Sequence, residues 1–200
     1  MKARELSVTG VVEFTPEVYR DQRGSFVSPF EESAFTQAVG HKFFPVAQMS
    51  HSRSRRGTLR GIHYTRTPPG MAKYVYCPSG RALDIVVDLR LGSPTFGRCD
   101  TTELGGDSCR AVYVPAGVGH MFVALQDDTL MSYLMSGGYD PGRELALAAL
   151  DPALALPVPR GLPLLLSDRD RAAPTLAEAR SRGDLPGYRA SIEAMEALCG

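Results

Sequence analysis

The chain has 200 residues with 22 Lys+Arg against 22 Asp+Glu, so it carries no net charge and lacks the basic excess of a nucleic-acid binder. Its length suits one ordinary domain, and 44% hydrophobic with 22% charged residues is enough to bury a core, far from the composition of a disordered chain. The one basic patch, Arg53, Arg55, Arg56 and Arg60, is local and suits one or two phosphates rather than a duplex.

In chain order, short apolar or alternating runs predict strands over residues 10–14, 45–52, 59–63, 73–77, 81–89, 111–114, 121–125 and 130–135. Twenty Gly and 15 Pro supply the turns between them, for example Pro78-Ser79-Gly80, Gly105-Gly106-Asp107 and Gln126-Asp127-Asp128. Helical pattern is confined to residues 31–39, 176–182 and 191–198, and Thr175 with Glu178 three residues later predicts a capping box. The strands lack the intervening helices that parallel βαβ units need, so the expected fold is mainly β, antiparallel, of jelly-roll type with an interior cavity. Near residue 150 the β-like runs give way to a Pro/Leu/Ala-rich tail. We read 1–200 as one domain, with 151–200 as an appendage packed on the barrel.

The four cysteines, Cys77, Cys99, Cys109 and Cys199, form no CxxC pair, and free thiols are expected. The N-terminus lacks an apolar leader pattern and no run reaches the ~18 apolar residues that span a bilayer, which predicts a soluble cytoplasmic protein without membrane contact.

Only four histidines occur. His41 sits in a helix-exit turn and His51 in a polar alternation; His63 and His120 carry more information. His63 ends Leu59-Arg60-Gly61-Ile62-His63, where alternation puts Leu59, Gly61 and His63 on one face and Arg60 and Ile62 on the other. His120 follows the turn Pro115-Ala116-Gly117-Val118-Gly119 and leads into an apolar strand. Pro115-x-Gly117-x-x-His120, and Gly57 followed by five residues and His63, resemble the two half-motifs of the cupin superfamily. The metal pattern is incomplete: Thr65 stands at the second His position, and no Glu follows at the usual distance. Two histidines fall short of a three-ligand metal site, so a cupin without metal is expected.

A closer resemblance covers most of the chain. Asp21-x-Arg23-Gly24-x-Phe26, Gln48 with Ser52 and Ser54, Leu59 to His63, Lys73, Asp84 to Arg90, Gly92-Ser93-Pro94-Thr95-Phe96-Gly97, Pro115 to Phe122, Asp151-Pro152 and Leu166-Ser167-Asp168-Arg169-Asp170 recur in order in the dTDP-4-dehydrorhamnose 3,5-epimerase family. The resemblance implies inversion at carbons alpha to the C4 ketone of dTDP-4-keto-6-deoxy-D-glucose, at C3 and in some members C5, with no cofactor. Such chemistry needs a base on one face, a group that stabilises the enolate oxygen, and an acid on the other face. His63 suits the base, and Lys73, a compact charge, suits the enolate oxygen. The resemblance implies Asp170 as the partner of His63 and Tyr133 as the acid; alternation places Met131, Tyr133 and Met135 on one face.

Arg23 and Arg60 match the family's diphosphate ligands, Gln48 a further ligand of nucleotide or sugar, and His120 the substrate side of the second half-motif. Phe26 and Tyr139 offer π-faces for thymine. The family's N-terminal part commonly crosses to a partner subunit, implying a homodimer with shared sites. Ser50 stands where Asn is usual, Gly70-Met71-Ala72-Lys73 replaces an Ala-Gln-Gly-Lys type run, and the tail has no Trp. The Tyr64 to Gly70 segment resembles the branch that serves antibiotic deoxysugar pathways. Rival readings are a C5-only epimerase, a 3,4-ketoisomerase on a dTDP-4-keto sugar, and a non-catalytic sugar-nucleotide-binding cupin.

Overall fold

A computed structural model describes residues 1–199. Every strand pair is antiparallel. The strands are β1 (Lys2–Glu5), β2 (Val12–Thr15), β3 (Val18–Asp21), β4 (Gly24–Val27), β5 (Gln48–Ser54), β6 (Leu59–Thr65), β7 (Lys73–Ser79), β8 (Arg81–Asp88), β9 (Cys99–Gly105), β10 (Ala111–Val114), β11 (Val118–Ala124), β12 (Thr129–Met135) and β13 (Glu144–Ala146). The helices are α1 (Glu32–Val39), α2 (Asp168–Arg171), α3 (Leu176–Ser181) and α4 (Tyr188–Cys199). One sheet runs β1-β2-β10-β7-β12-β5 and a second runs β13-β6-β11-β8-β9, while β3 and β4 form a separate hairpin.

Period-two alternation distributes the side chains among three apolar clusters. Between the sheets, Val75, Val86, Val112, Val114, Phe122 and Met131 form the interior core. The intervening residues face outward. Ala111 and Tyr113 join Phe35 of α1 and Met195 of α4, whereas Ile85, Val87, Met121 and Val123 pack with Leu154, Ala179 and Leu185 of the C-terminal segment. This is the expected cupin-type jelly roll, with the residues after 151 laid partly against each sheet.

Most strand predictions differ from the observed elements by only a few residues. β11, however, already begins at Val118, inside the expected turn, and β5 begins at Gln48 rather than at residue 45. Five strands and α2 carry no pattern that would announce them. β1 (KARE) is fully exposed and polar, and β9 is largely polar; both are edge strands, bonded on one side only and protected by charge rather than marked by alternation. The capping box of α3 forms as predicted, with Thr175 and Glu178 bonding each other's backbone N–H. α1 ends at Gly40 in the left-handed conformation that glycine tolerates, and α4 starts three residues before its expected N-terminus. The four cysteines are unpaired. No helix among the described residues is long and apolar enough to cross a membrane.

A buried ion pair closes one end of β8. Arg90 donates from Nε and Nη2 to Asp88 at 2.9 and 2.8 Å, and its Nη2 also donates to the Thr9 carbonyl. Ser93 and Thr95 hydroxyls donate to the same carboxylate at 2.6 Å. Burial alone would push the Asp88 carboxyl up, but the bonds from Arg90, Ser93 and Thr95 hold it below the ordinary carboxylate range. Its contribution to stability is therefore present above the unfolded carboxylate's value of about 3.9 and is lost as pH falls through the lower folded value. Asp88→Asn leaves Arg90 buried without its anion. The expected cost is about 3 kcal/mol, a fall in Tm of roughly 6–12 °C at pH 7 that narrows below pH ~4; an unchanged Tm would refute this account of the pair.

Candidate active site

At one end of the sandwich the interior core gives way to a cavity of about 310 Å³. One sheet contributes Gln48, Ser50, Lys73, Tyr133 and Met135; the other contributes Arg60, His63, His120, Phe122 and Glu144, with Tyr139 at the rim. Lys73 opens β7 and is largely buried, as its place at the strand end suggests. A larger cavity of about 410 Å³ lies beside α4, walled by Pro115, Ile192 and Met195, and does not include this cluster.

The alternation expected for β6 fails. Arg60 and His63, three residues apart, both line the cavity, whereas Leu59, Ile62 and Tyr64 pack into the outer cluster. The cause is a break in register: His63 pairs with His120 and Arg60 with Phe122, so three steps on β6 match two on β11. Such a bulge returns two residues of unlike parity to one face. Gly61 occupies the bulge with φ of +117°, and a Cβ there would lie 2.5 Å from Met121 Cβ and 2.6 Å from the His120 carbonyl oxygen. Only glycine meets both demands.

His63 Nε2 lies 2.7 Å from Asp170 Oδ1. Burial alone would raise the Asp170 carboxyl, but the hydrogen bond and charge of His63, with bonds from Ser167 and the Gly61 N–H, hold it below the ordinary range. An ionised carboxylate only accepts, so Nε2–H donates, and in the neutral form of the ring Nδ1 carries the lone pair that can take a proton. Ser167 caps α2 by accepting from the Asp170 N–H, which fixes the position of that side chain. His120 is paired in the same way, its Nε2 2.6 Å from Asp84 Oδ2.

Facing these, the Tyr133 hydroxyl lies 3.1 Å from Ser52 Oγ, and burial pushes its ionisation far above the ordinary phenol range while the Ser52 bond offsets part of the rise. Lys73 Nζ lies 3.7 Å from Glu144 Oε1. Thr65, at the position where metal-binding cupins carry a second His, donates from Oγ1 to Glu144 Oε2 at 3.2 Å. Glu144 thus belongs to the site although no sequence motif marked it. The signal was indirect: a buried lysine requires an anion.

Gln48 accepts the Tyr139 backbone N–H at 2.8 Å, tying the rim loop to β5, and Arg60 Nε donates to Ser54 Oγ at 3.2 Å. Arg23 and Phe26 are not brought to this cavity. They lie on the β3–β4 hairpin, where Phe26 is 70% exposed and the Arg23 guanidinium pairs, among the described residues, only with Asp21. His51 bonds Ser132 and His41 packs edge-on against Phe35; neither lines the cavity. No group of three or more His, Cys, Asp or Glu among the described residues is placed to hold a metal.

An antiparallel sandwich that sets a carboxylate-paired histidine across from a half-buried tyrosine has the architecture of the cupin-type carbohydrate isomerases. The sequence profile of dTDP-4-dehydrorhamnose 3,5-epimerase matches residues 5–178. A dTDP-4-dehydro-6-deoxyglucose 3-epimerase from Streptomyces bikiniensis is 47% identical over 192 residues, 96% of this chain and 97% of that protein. The crystal structure of a 3'-monoepimerase from the same organism in complex with dTDP-quinovose superposes with a TM-score of 0.91 at 47% identity, covering 96% of this chain and 97% of the other. An epimerase from Mycobacterium tuberculosis gives a TM-score of 0.94 at 43% identity, covering 99% and 100%. The chain belongs to the dTDP-4-dehydrorhamnose 3,5-epimerase family and is an epimerase, an isomerase of sugars.

Gly61→Ala is expected to force β6 away from β11 at the His63–His120 pair and to cost about 2–5 kcal/mol from overpacking and backbone strain together. Urea denaturation measures this, and a change under about 0.5 kcal/mol would contradict the close approach.

Proposed function

We propose that the protein inverts C3 of dTDP-4-keto-6-deoxy-D-glucose, with His63 as base, Lys73 as the enolate-stabilising cation and Tyr133 as acid. The observation that carries this reading is that His63 and Tyr133 project into one cavity from opposite sheets. A sugar ring held between the sheets would present one face to each. Among the relatives, those named 3-epimerases and those named 3,5-epimerases share C3 as the inverted carbon.

The C3–H bond gives its proton to His63 Nδ1, and its electron pair forms the C3=C4 enolate, placing negative charge on the C4 oxygen. Asp170 stabilises the imidazolium so formed, and the Lys73 ammonium, held by Glu144, stabilises the oxygen. The enolate pair then takes the Tyr133 proton at the opposite face of C3, and solvent restores both groups. C5 flanks the same ketone, so inversion there would use the same groups after a shift of the ring. Arg60 would hold the diphosphate, with Gln48 and His120 on the substrate and Tyr139 stacking on the base.

Arg23 and Phe26 fit this reading as a contribution to a second copy. The exposed β3–β4 hairpin presents a guanidinium and an aromatic face that its own cavity does not use. The protein is then a cytoplasmic homodimer whose sites each borrow one hairpin, and each chain acts as one domain with 151–200 as its appendage.

Incubation with the 4-keto sugar in D2O, followed by NMR, tests the base. The expected result is deuterium at C3 for the parent chain and a loss of about 10²- to 10⁴-fold in His63→Ala, with dTDP affinity within about threefold. Near-parent exchange in His63→Ala would remove that residue from the role. Sedimentation should give twice the 21.6 kDa chain mass, and Arg23→Ala should weaken dTDP binding by about tenfold or more without dissociating the particle. A monomer that binds dTDP at parental affinity would contradict the shared site.

A further inference from the structure

The three alternate serines of β5 are each engaged by a different group. Ser50 Oγ accepts from Gln48 Nε2 at 2.9 Å, Ser54 Oγ from Arg60 Nε at 3.2 Å, and Ser52 Oγ meets the Tyr133 hydroxyl at 3.1 Å. β5 and β12 place Tyr133 directly opposite Ser50 and Met131 opposite Ser52, so the Tyr133–Ser52 bond runs along the diagonal of the ladder. Ser52 is the one side-chain hydrogen-bond partner of the Tyr133 hydroxyl among the described residues. The His120 ring stands edge-on to the Tyr133 ring with centroids 6.4 Å apart, and its Nε2 is taken by Asp84.

The half-buried Tyr133 phenol, once it gives up a proton, becomes a phenolate in surroundings that disfavour charge. To deliver that proton to carbon, its O–H must point at the sugar, which leaves the phenol oxygen to accept from elsewhere. A serine hydroxyl can fill this part because it is both donor and acceptor and turns freely. We propose that Ser52 is the positioning residue of the acid: its hydroxyl donates to the Tyr133 oxygen, aims the phenolic proton into the cavity and holds the phenolate once the proton has left. This deepens the reading of Tyr133 as the acid and rests on it. In the step itself the Tyr133 O–H bond breaks and the C3–H bond forms from the enolate pair. The oxygen keeps its electrons, and Ser52 keeps its own proton and gives only the hydrogen bond, which strengthens as its partner becomes charged.

The test separates inversion from exchange. Proton removal and return on the His63 face deuterates C3 without Tyr133, whereas inverted product requires it. With dTDP-4-keto-6-deoxy-D-glucose in D2O, Ser52→Ala is expected to slow formation of inverted product about 10- to 100-fold in kcat. Its KM and its rate of C3 deuteration should stay within about threefold, and Ser52→Thr should recover inversion to within about threefold. A merely structural role would lower deuteration and inversion together, and that result, or parental inversion in Ser52→Ala, would overturn the proposal. Tyr133→Phe run in parallel tells the two failures apart. Parental inversion by Tyr133→Phe removes the acid itself, whereas loss of inversion there with parental inversion in Ser52→Ala removes only Ser52.

Discussion

The hydrogen bond between His63 and Asp170 joins residues 107 positions apart and makes the cavity dependent on both halves of the chain. His63 sits on a central strand of the jelly roll, while Asp170 sits on a one-turn helix in a segment that crosses the outer face of the same sheet. The carboxylate is held there by the packing of the C-terminal segment: Leu154, Ala179 and Leu185 bury against Ile85, Val87 and Met121, and the Leu59 N–H donates to the Leu165 carbonyl beside the bulge. Ser167 then caps the turn, and the Gly61 N–H adds a donor to the same carboxylate. The packing of the tail and the tautomer of the histidine are thus one constraint, since an acceptor-only carboxylate at Nε2 leaves the lone pair on Nδ1.

The two sheets divide the chemistry between them. Alternation keeps the middle of the sandwich apolar, with Val75, Val86, Val112 and Phe122 interdigitated, and turns polar toward one end, where the same faces carry Lys73, Tyr133, His63 and His120. Three of the polar groups there have partners: Lys73 has Glu144, His120 has Asp84, and Tyr133 has Ser52. These partners hold the side chains at defined positions before a ligand arrives, which is how a site avoids reorganisation during the reaction. The relatives bear names that differ in whether C5 is also inverted, and a small shift of the ring between fixed groups is enough to separate those outcomes.

Much of this was legible in the sequence, for physical reasons that differ from residue to residue. Strands buried on both faces, such as β8 and β10, declared themselves through continuous apolar runs, and Thr175 with Glu178 declared α3 through its cap. β1 and β9 did not, because an edge strand is held by backbone bonds on one side and carries charges that read as loop. Alternation placed Tyr133 correctly but misplaced Arg60, since one extra residue at Gly61 inverts parity and leaves no mark except the glycine itself. Glu144 was hidden for another reason, and Ser52, though part of the family's run after Gln48, carried no sign of its bond to Tyr133. Their importance lies in the side chain each one touches, and pairings between distant residues are created by the fold alone.

The central claim is that one carbon of the sugar lies between two groups on opposite sheets. A crystal structure of the protein with a dTDP-linked 6-deoxy sugar measures this directly. The account predicts C3 within about 3–4 Å of both His63 Nδ1 and the Tyr133 hydroxyl oxygen, with the two atoms on opposite faces of the ring. A ring that presents the same face to both groups, or a C3 more than about 6 Å from either, would contradict it.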